Sequence, residues 1–337
     1  MAENILNIDG LKTYFFTEAG IVKAVDGISF HLTKGESLGL VGESGSGKTV
    51  TALSVLRIVP KPGKIVDGKV EFNGHDLLKK PENEMQRIRG SEIAIIFQDP
   101  SSSLNPVYNI ETQLRDVITA HRKGRQKISR KEIRKKVIQL LETVELPDAE
   151  TRMREYPHQF SGGMKQRVAI ARALALEPTL LFADEPTTNL DVTIQAQVLG
   201  LLNDLKKKFG MSLVMITHDM GIVAEMTTRV VVLYAGRVCE VAKTYELYER
   251  PKHPYTEALL AAVPRLDMRK TLRVIPGNIP NLIEPPSGCR FHPRCKYATK
   301  TCERDIPALE EIDPDHFVAC HEWRNISLRG EGASVDH

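Results

Sequence analysis

Hydrophobic and polar positions follow two different periods along this chain. Residues 5–40 alternate short apolar runs with polar turns, as in GISFHLTKGESLGLVG, and this pattern predicts strands. Residues 111–146 are rich in charge and carry apolar side chains at helical spacing, which predicts a helical insertion. The apolar stripe of that insertion consists of Ile133, Val137, Leu140, Leu141 and Val144.

The second half of the chain predicts alternating strands and helices. TLLFADE at 179–185 is a continuous apolar run that ends in acids, which is typical of a buried parallel strand. Residues 191–210 predict an amphipathic helix that ends at a glycine, and SLVMIT and RVVVLYAG predict further strands. The apolar face of the helix holds Val198, Leu201, Leu202 and Leu205. The order of elements indicates an α/β core with a mostly parallel sheet.

Composition adds limits rather than a function. The chain has 337 residues, is 42% hydrophobic and 26% charged, and is therefore ordinary for a globular protein. The net charge of +3 gives no reason to expect a nucleic-acid partner. MAENILNIDG lacks the features of a signal peptide, and no run reaches the ~18 apolar residues of a membrane span. We therefore expect a chain without a membrane span of its own.

The segment GESGSGKT at residues 42–49 matches the phosphate-binding loop pattern in full, between a predicted strand and a predicted helix. Glycines let the backbone curl so that its N–H groups point at phosphate oxygens. The lysine would reach the β- and γ-phosphates, and the last hydroxyl would bind Mg²⁺. The predicted ATP-binding residues of the loop are Gly42, Ser44, Gly45, Ser46, Gly47, Lys48 and Thr49.

Two acids follow the apolar run LLFA. Asp184 can hold Mg²⁺ through water, and Glu185 can polarise an attacking water as a general base. Paired acids at a strand end also occur as a solvated turn, but the phosphate loop upstream favours the catalytic interpretation.

The segment FSGGMKQRVAIARAL at 160–174 resembles the signature segment of ABC-type ATPases, although Met164 stands where that family usually has Gln. Gln98 in IIFQDP, Asp191 in TNLD and His218 in MITHDM match the Q-loop, D-loop and switch positions. Asn189 stands where Ala is common. Taken singly, the glutamine is also a plain loop amide and the histidine a plain strand-end residue.

The resemblance covers residues 5–250 and implies roles for these positions. Ser161, Gly162 and Gly163 would contact the γ-phosphate, and Gln98 would join Glu185 and His218 in catalysis and bind Mg²⁺. Phe15 would stack on adenine, with Tyr14 as the second choice. The family implies a head-to-tail pair of ATPase subunits, identical or paralogous, which ATP closes and hydrolysis opens.

Residues 252–264, KHPYTEALLAAVP, with the Pro-rich stretch and cysteines after them, look like the ATP-binding subunits of dipeptide and oligopeptide ABC importers. That resemblance covers residues 250–322. It implies two polytopic permease subunits, which would dock along residues 99–110, an extracytoplasmic substrate-binding protein, and a peripheral position at the cytoplasmic face of the membrane. Nickel or sugar import, a soluble non-transport ABC ATPase and an iron–sulfur protein with an attached ATPase remain alternatives.

Four cysteines follow the Pro-rich stretch, with five, six and seventeen residues between them. They are Cys289, Cys295, Cys302 and Cys320. The spacing is neither that of a zinc ribbon nor that of a common ferredoxin, yet four thiols in a loop-rich segment predict one four-coordinate metal site, for iron–sulfur or zinc equally. Free or disulfide-linked thiols are a third possibility. The resemblance to peptide importers implies a 4Fe–4S cluster.

Residues around the cysteines add two expectations. The basic neighbours Arg290, Arg294 and Lys296 should lower the thiol pKa values, and His292 and His321 are substitute ligands. A fifth cysteine, Cys239, is expected in the core.

The predicted fold class is α/β, with an ABC-type P-loop ATPase core at 1–250. This core would contain an antiparallel β subdomain and a helical subdomain at about 99–175. A small, loop-rich C-terminal cysteine domain would follow at 251–337.

Overall fold

The computed structural model describes residues 3–120, 129–263 and 275–328. They divide into two compact units. The first unit holds the described residues of 1–79 and 215–337, and the second holds those of 80–214. The described residues of 251–328 thus lie in the same compact unit as the N-terminal strands.

Strands dominate the first unit, and β8 crosses its boundary with the second. The elements are β1 (Asn4–Thr17), β2 (Gly20–Thr33), β3 (Ser37–Val41), α1 (Lys48–Val55), β4 (Gly63–Phe72), β5 (His75–Asp76), β8 (Ser212–Thr217), α9 (Met220–Met226), β9 (Arg229–Tyr234), β10 (Arg237–Lys243), α10 (Thr244–Glu249), α11 (Pro254–Ala261), α12 (Lys300–Arg304), β11 (Glu310–Asp313) and β12 (His316–Val318), with 3-10 turns at Leu77–Lys79 and His292–Arg294.

Helices dominate the second unit. Its elements are α2 (Glu82–Ile88), β6 (Ile93–Ile96), α3 (Pro100–Ser103), α4 (Ile110–Ala120), α5 (Arg130–Thr143), α6 (Ala149–Arg152), a 3-10 turn at Pro157–Gln159, α7 (Gly162–Leu174), β7 (Leu180–Asp184) and α8 (Val192–Phe209).

An antiparallel sheet with the order β2-β1-β4-β5 fulfils the sequence expectation for the N-terminal region. Leu6, Ile8 and Leu11 of β1 are fully or almost fully buried, while polar residues between them stay accessible. Alternation of this kind is what one buried sheet face requires.

A second group of strands in the first unit joins β3, the strand before the phosphate-binding loop, to the C-terminal segment. β3 pairs in parallel with β9, β9 pairs antiparallel with β10, and β10 pairs antiparallel with β12, which in turn pairs with β11. The two last strands have four and three residues, too short for hydrophobic alternation to reveal them.

The helical predictions for the second unit are confirmed by α4, α5 and α8, and residues 121–128 of the predicted insertion lie outside the described residues. Ser129 and Glu132 form a reciprocal capping box at the start of α5. Of the predicted stripe, Ile133, Val137, Leu141 and Val144 are buried and Leu140 is half-buried. Helix α8 begins at the side-chain cap of Asp191 and ends at Gly210, which has a left-handed φ of 61°. In that helix the four predicted apolar-face residues are buried.

An aromatic cluster fixes the C-terminal segment to the core of the first unit. The rings of Tyr234 and Tyr255 lie 4.6 Å apart, and the ring of Phe291 lies 5.1 Å from the first and 5.3 Å from the second. All three side chains are buried, as is the predicted core thiol of Cys239. Large aromatic rings contribute most of the burial energy of such a cluster.

Across residues 3–120, 129–263 and 275–328, the helices are all too short or too polar to cross a membrane.

Candidate functional site

The phosphate-binding loop connects β3 to α1 in the first unit. Gly47 caps α1 with a left-handed φ of 103°, so the loop turns directly into the helix N-terminus. The Lys48 ammonium is buried and donates to the carbonyl oxygens of Gly42 at 2.7 Å and Glu43 at 3.0 Å. A positive charge and a helix N-terminus therefore meet at one loop, which is the arrangement that binds phosphate.

Two positions of this loop admit only glycine. A Cβ at Gly42 would lie 2.1 Å from the Leu233 carbonyl oxygen, and one at Gly47 would lie 2.5 Å from the Ala24 carbonyl oxygen. The Ser46 hydroxyl is buried and has no hydrogen-bond partner within the part of the chain that the structure describes. The remaining predicted loop residues, Ser44, Gly45 and Thr49, are exposed.

In the second unit, the structure brings two predicted catalytic residues together. The Gln98 amide Nε2 donates to Glu185 Oε2 at 2.9 Å, and the Thr188 hydroxyl donates to the same oxygen at 3.1 Å. Asp184 is buried at the end of β7, whose five residues are all buried. Glu185 follows with a left-handed φ of 44°, so the chain turns sharply after the buried acid.

The signature segment begins at an exposed helix N-terminus. Ser161 caps α7 and accepts from the Met164 N–H at 3.4 Å. Ser161 and Gly162 are exposed, whereas a Cβ at Gly163 would lie 2.6 Å from Ile194 Cγ2. The exposed helix start leaves the backbone N–H groups of Ser161 and Gly162 accessible to an anion.

The other predicted nucleotide residues lie at element ends. Asp191 caps α8 by accepting from the Ile194 N–H at 3.0 Å, and His218 is exposed directly after β8. Phe15 is half-buried on β1, where its ring edge lies against Gly63. The hydroxyl of its alternative, Tyr14, donates to Asp26 at 2.5 Å.

One cavity of the first unit is lined by all four clustered cysteines. Cys289, Cys295, Cys302 and Cys320 surround it together with His253, Phe291, His292, Tyr297 and His321. A backbone hydrogen bond joins two of these cysteines, since the Cys289 N–H donates to the Cys302 carbonyl oxygen at 2.8 Å. Among the described residues, no group of three or more His, Cys, Asp or Glu is arranged tightly enough to hold a single metal ion.

The expectation that basic neighbours lower the thiol pKa values is wrong for the net shift: the charge of Lys296 lowers the pKa of Cys295, but burial outweighs it. Burial raises the pKa of Cys289 to about 11 and that of Cys320 to about 12, and it also raises the pKa of Cys295. Arg290 and Arg294 do not act on the thiols, since their guanidinium groups pair with carboxylates elsewhere. Thiolates in this cavity would need a compensating positive charge, which a metal centre supplies.

Those two arginines form contacts that sequence reasoning missed. Arg290 pairs with Asp26 of β2, and Arg294 pairs with Glu43 of the phosphate-binding loop. The Tyr255 hydroxyl also accepts from the Glu43 N–H at 2.8 Å. No local signal points to these pairings, because the partners are separated by more than 200 positions in the sequence.

His253 caps α11 next to the cysteine cavity. Its Nδ1 accepts from the Tyr255 N–H at 3.0 Å, so this ring nitrogen carries no proton. Burial lowers the pKa of His253 to about 4. Between this value and the ordinary 6.5, the unfolded chain binds a proton that the folded chain does not. Stability therefore falls as the pH falls from 6.5 towards 4.

Comparison with known proteins adds two family matches. Residues 25–188 match the ABC transporter family, and residues 239–302 match the C-terminal region of the oligopeptide/dipeptide transporter family. The chain is 48% identical to a probable peptide ABC transporter ATP-binding protein, y4tR of Sinorhizobium fredii, over 96% of each chain. The chain belongs to the ABC transporter ATP-binding family.

Further relatives agree with that assignment. The oligopeptide transport ATP-binding protein OppD of Escherichia coli is 46% identical over 95% of this chain and 93% of its own length. A solved structure, the dimeric ATP-binding cassette MJ0796 with bound ADP and Pi, superposes with a TM-score of 0.63 at 27% identity. It covers 71% of this chain and 98% of that cassette. As an ABC ATP-binding protein, the chain is expected to use ATP and Mg²⁺ in ATP hydrolysis.

Proposed function

We propose that this protein is the ATP-hydrolysing subunit of a membrane importer for di- and oligopeptides. The observation that carries the proposal is the presence, in one chain, of a complete phosphate-binding loop and a C-terminal region of the oligopeptide/dipeptide transporter type at residues 239–302. Relatives named as peptide transport proteins match over 95–96% of this chain, which supports peptide over nickel or sugar as the solute class. Peptide uptake by cells with and without the gene tests the solute class directly.

Glu185 is assigned as the general base of ATP hydrolysis, with Gln98 and His218 as its catalytic companions. The hydrogen bond from Gln98 to Glu185 supports this assignment, because it orients the carboxylate. Glu185→Gln should lower turnover by about 10²-fold or more and trap an ATP-bound dimer. Glu177→Gln is a matched control, since Glu177 is exposed and has a similar left-handed φ of 55°. Unchanged turnover in Glu185→Gln would exclude Glu185 as the base.

The signature segment is assigned to the ATP site of a second ATPase subunit. Ser161 and Gly162 are exposed at a helix N-terminus, which supports a contact with phosphate held by another chain. The partner is either an identical chain or a paralogue. Sedimentation of the purified Glu185→Gln protein with ATP distinguishes these two cases, because only an identical partner lets this chain dimerise alone.

Residues 99–110 are assigned as the docking surface for two polytopic permease subunits, to which an extracytoplasmic binding protein delivers substrate. Val107 and Tyr108 expose 74% and 53% of their surface. The buried Gln113 holds this loop, accepting from the Asn105 N–H and donating to the Tyr108 carbonyl oxygen at 2.8 Å. A fixed loop with an exposed apolar tip supports a protein partner at this surface. Docked to permeases there, the chain would lie at the cytoplasmic face of the membrane. Val107→Ser should impair stimulation by the permease but not basal hydrolysis.

The four-cysteine cavity is assigned as the site of a 4Fe–4S cluster. Zinc is the alternative, and it would require the thiols to move closer together than they lie among the described residues. Four thiols around one cavity provide the ligand number that such a cluster uses. A bound cluster would cross-link a segment that has little regular structure of its own. About four irons and four acid-labile sulfides per chain after anaerobic purification would support the cluster, whereas one zinc without sulfide would contradict it.

For function, we place the main boundary near residue 250. Residues 1–250 would form the ATPase, with a helical subdomain at about 99–175, and residues 251–337 would form the cysteine-containing extension.

A further inference from the structure

The C-terminal segment contacts the phosphate-binding loop through one side chain. Arg294 ends the 3-10 turn that directly precedes Cys295. Its Nη1 and Nη2 donate to Glu43 Oε2 at 2.7 Å and Oε1 at 3.1 Å, so the contact is bidentate. The Arg294 side chain is 4% exposed and that of Glu43 is 25% exposed. Bidentate pairs of this kind set orientation as well as energy.

Other contacts fix the guanidinium. Arg294 Nη1 donates to the Tyr234 hydroxyl at 3.2 Å, and Arg294 Nε donates to the Pro276 carbonyl oxygen at 2.7 Å. The guanidinium carbon Cζ lies 5.7 Å from the centre of the Tyr234 ring. Arg294 thus reaches Glu43 from a position that the core itself defines. Lysine could not reproduce this planar set of donors.

Glu43 in turn fixes the atoms that hold the loop closed. Its N–H donates to the Tyr255 hydroxyl at 2.8 Å, and its carbonyl oxygen accepts from Lys48 Nζ at 3.0 Å and from the Ser46 N–H at 3.1 Å. A displacement of Glu43 would therefore move the acceptor that positions the phosphate-binding lysine.

We propose that Arg294 is a positioning residue for the phosphate-binding loop, and that it makes ATP affinity depend on the state of the four-cysteine cavity. The cavity is lined by the next residue, Cys295, and by His292 of the same turn, so a change in how the thiols are held would move the turn that carries Arg294. The second half of this proposal rests on the metal-centre role proposed above. Such a link is a coupling between two sites, and couplings of this kind typically change affinity about five- to 150-fold.

The test uses the full-length protein with its metal content measured in every sample. Equilibrium binding of ATP gives Kd, steady-state hydrolysis gives KM and kcat, and a thermal scan gives the folded fraction. Arg294→Gln should raise Kd and KM by at least about fivefold and leave kcat within about twofold, and Arg294→Lys should recover part of the affinity.

Lys296→Gln is the matched control. Lys296 flanks Cys295 on its other side, and its side chain, 60% exposed, pairs with Glu257 at 3.0 Å and lies over the Tyr297 ring. This variant should keep Kd within about twofold of the unsubstituted protein, because exposed ion pairs contribute little. An equal loss of affinity in Lys296→Gln and Arg294→Gln would overturn the proposal.

A double-mutant cycle separates positioning from general support. Glu43→Gln combined with Arg294→Gln should weaken ATP binding no more than the worse single change, since both remove one contact. Additive losses would overturn the proposal. So would a lower kcat at unchanged KM that follows the folded fraction, because that is the result of a merely structural role.

A separate variant tests the link between the cysteines and ATP affinity. Cys295→Ser should raise Kd by about fivefold in the unsubstituted background and add no further loss in Arg294→Gln. If Cys295→Ser left the Kd for ATP unchanged in the unsubstituted protein, or raised it equally in both backgrounds, the proposed dependence of ATP affinity on the cavity would be overturned. A protein that binds ATP normally but contains neither iron nor zinc would contradict the metal-centre role alone. Absence of ATP binding in the unsubstituted chain would contradict the proposed function together with this inference.

Discussion

The attachment of the cysteine segment to the N-terminal strands should depend on Arg290. Its guanidinium side chain is 5% exposed and donates to Asp26 Oδ2 at 2.5 Å and to the Ala235 carbonyl oxygen. Arg290→Met keeps much of the aliphatic volume but removes the charge. The Asp26 carboxylate, with a side chain 9% exposed, then loses its most buried partner.

The size of the effect follows from burial. Removal of one partner from a buried ion pair typically costs about 3–5 kcal/mol of unfolding free energy, because the remaining charge is uncompensated. Asp26 would still accept from Tyr14 at 2.5 Å and from Arg237 at 2.9 Å, so the lower end, about 3 kcal/mol, is expected. Arg237→Met is the matched control on the same carboxylate. Its side chain is 30% exposed, and we expect a cost below about 1 kcal/mol.

The chain contains its own probe, because Trp323 is its single tryptophan and follows the last of the four cysteines. Urea unfolding monitored by tryptophan fluorescence therefore reports on this segment. With a slope of about 1–3 kcal/mol per molar urea, Arg290→Met should lower the midpoint by about 1–3 M. A cost for Arg290→Met below that of Arg237→Met, or below about 1 kcal/mol, would refute the reasoning.

Two further predictions concern acid stability and the phosphate-binding loop. His253→Asn keeps a side-chain acceptor for the helix cap but does not titrate. Between pH 6.5 and 4 the unsubstituted protein should therefore lose up to about 3 kcal/mol more unfolding free energy than the variant does. Urea midpoints at each pH measure this, and parallel profiles would contradict it. Gly42→Ala should abolish ATP binding, since its Cβ would overlap the Leu233 carbonyl oxygen. Gly45→Ala should retain more binding in the same titration, because its Cβ meets no atom within 4 Å and only the left-handed φ of 77° opposes it.

Local patterns predicted those parts of the protein that are held by short-range interactions. The phosphate-binding loop was identified because its glycines and lysine lie within residues 42–49, and the C-terminal end of α8 was identified because Gly210 caps it by its own chemistry. Strands β11 and β12 were missed, since three or four residues carry no usable periodicity.

The candidate site was only partly predictable. Gln98 and Glu185 were named as catalytic residues from separate motifs, but the 2.9 Å hydrogen bond between them is a property of the folded second unit. In the same way, the presence of four thiols in one loop-rich segment indicated that they belong together, while the burial that raises the pKa values of Cys289 and Cys320 became visible only in the structure.

The sequence by itself determined the loop chemistry, the amphipathic helices and the grouping of the thiols, because each depends on residues close together in the chain. The tertiary structure alone decided where the basic residues of the cysteine segment point. Sequence reasoning directed Arg290 and Arg294 to the neighbouring thiols, yet they reach Asp26 and Glu43, 264 and 251 positions away. A buried guanidinium pairs with the carboxylate that packing brings within reach, and packing between distant segments has no signature in local sequence.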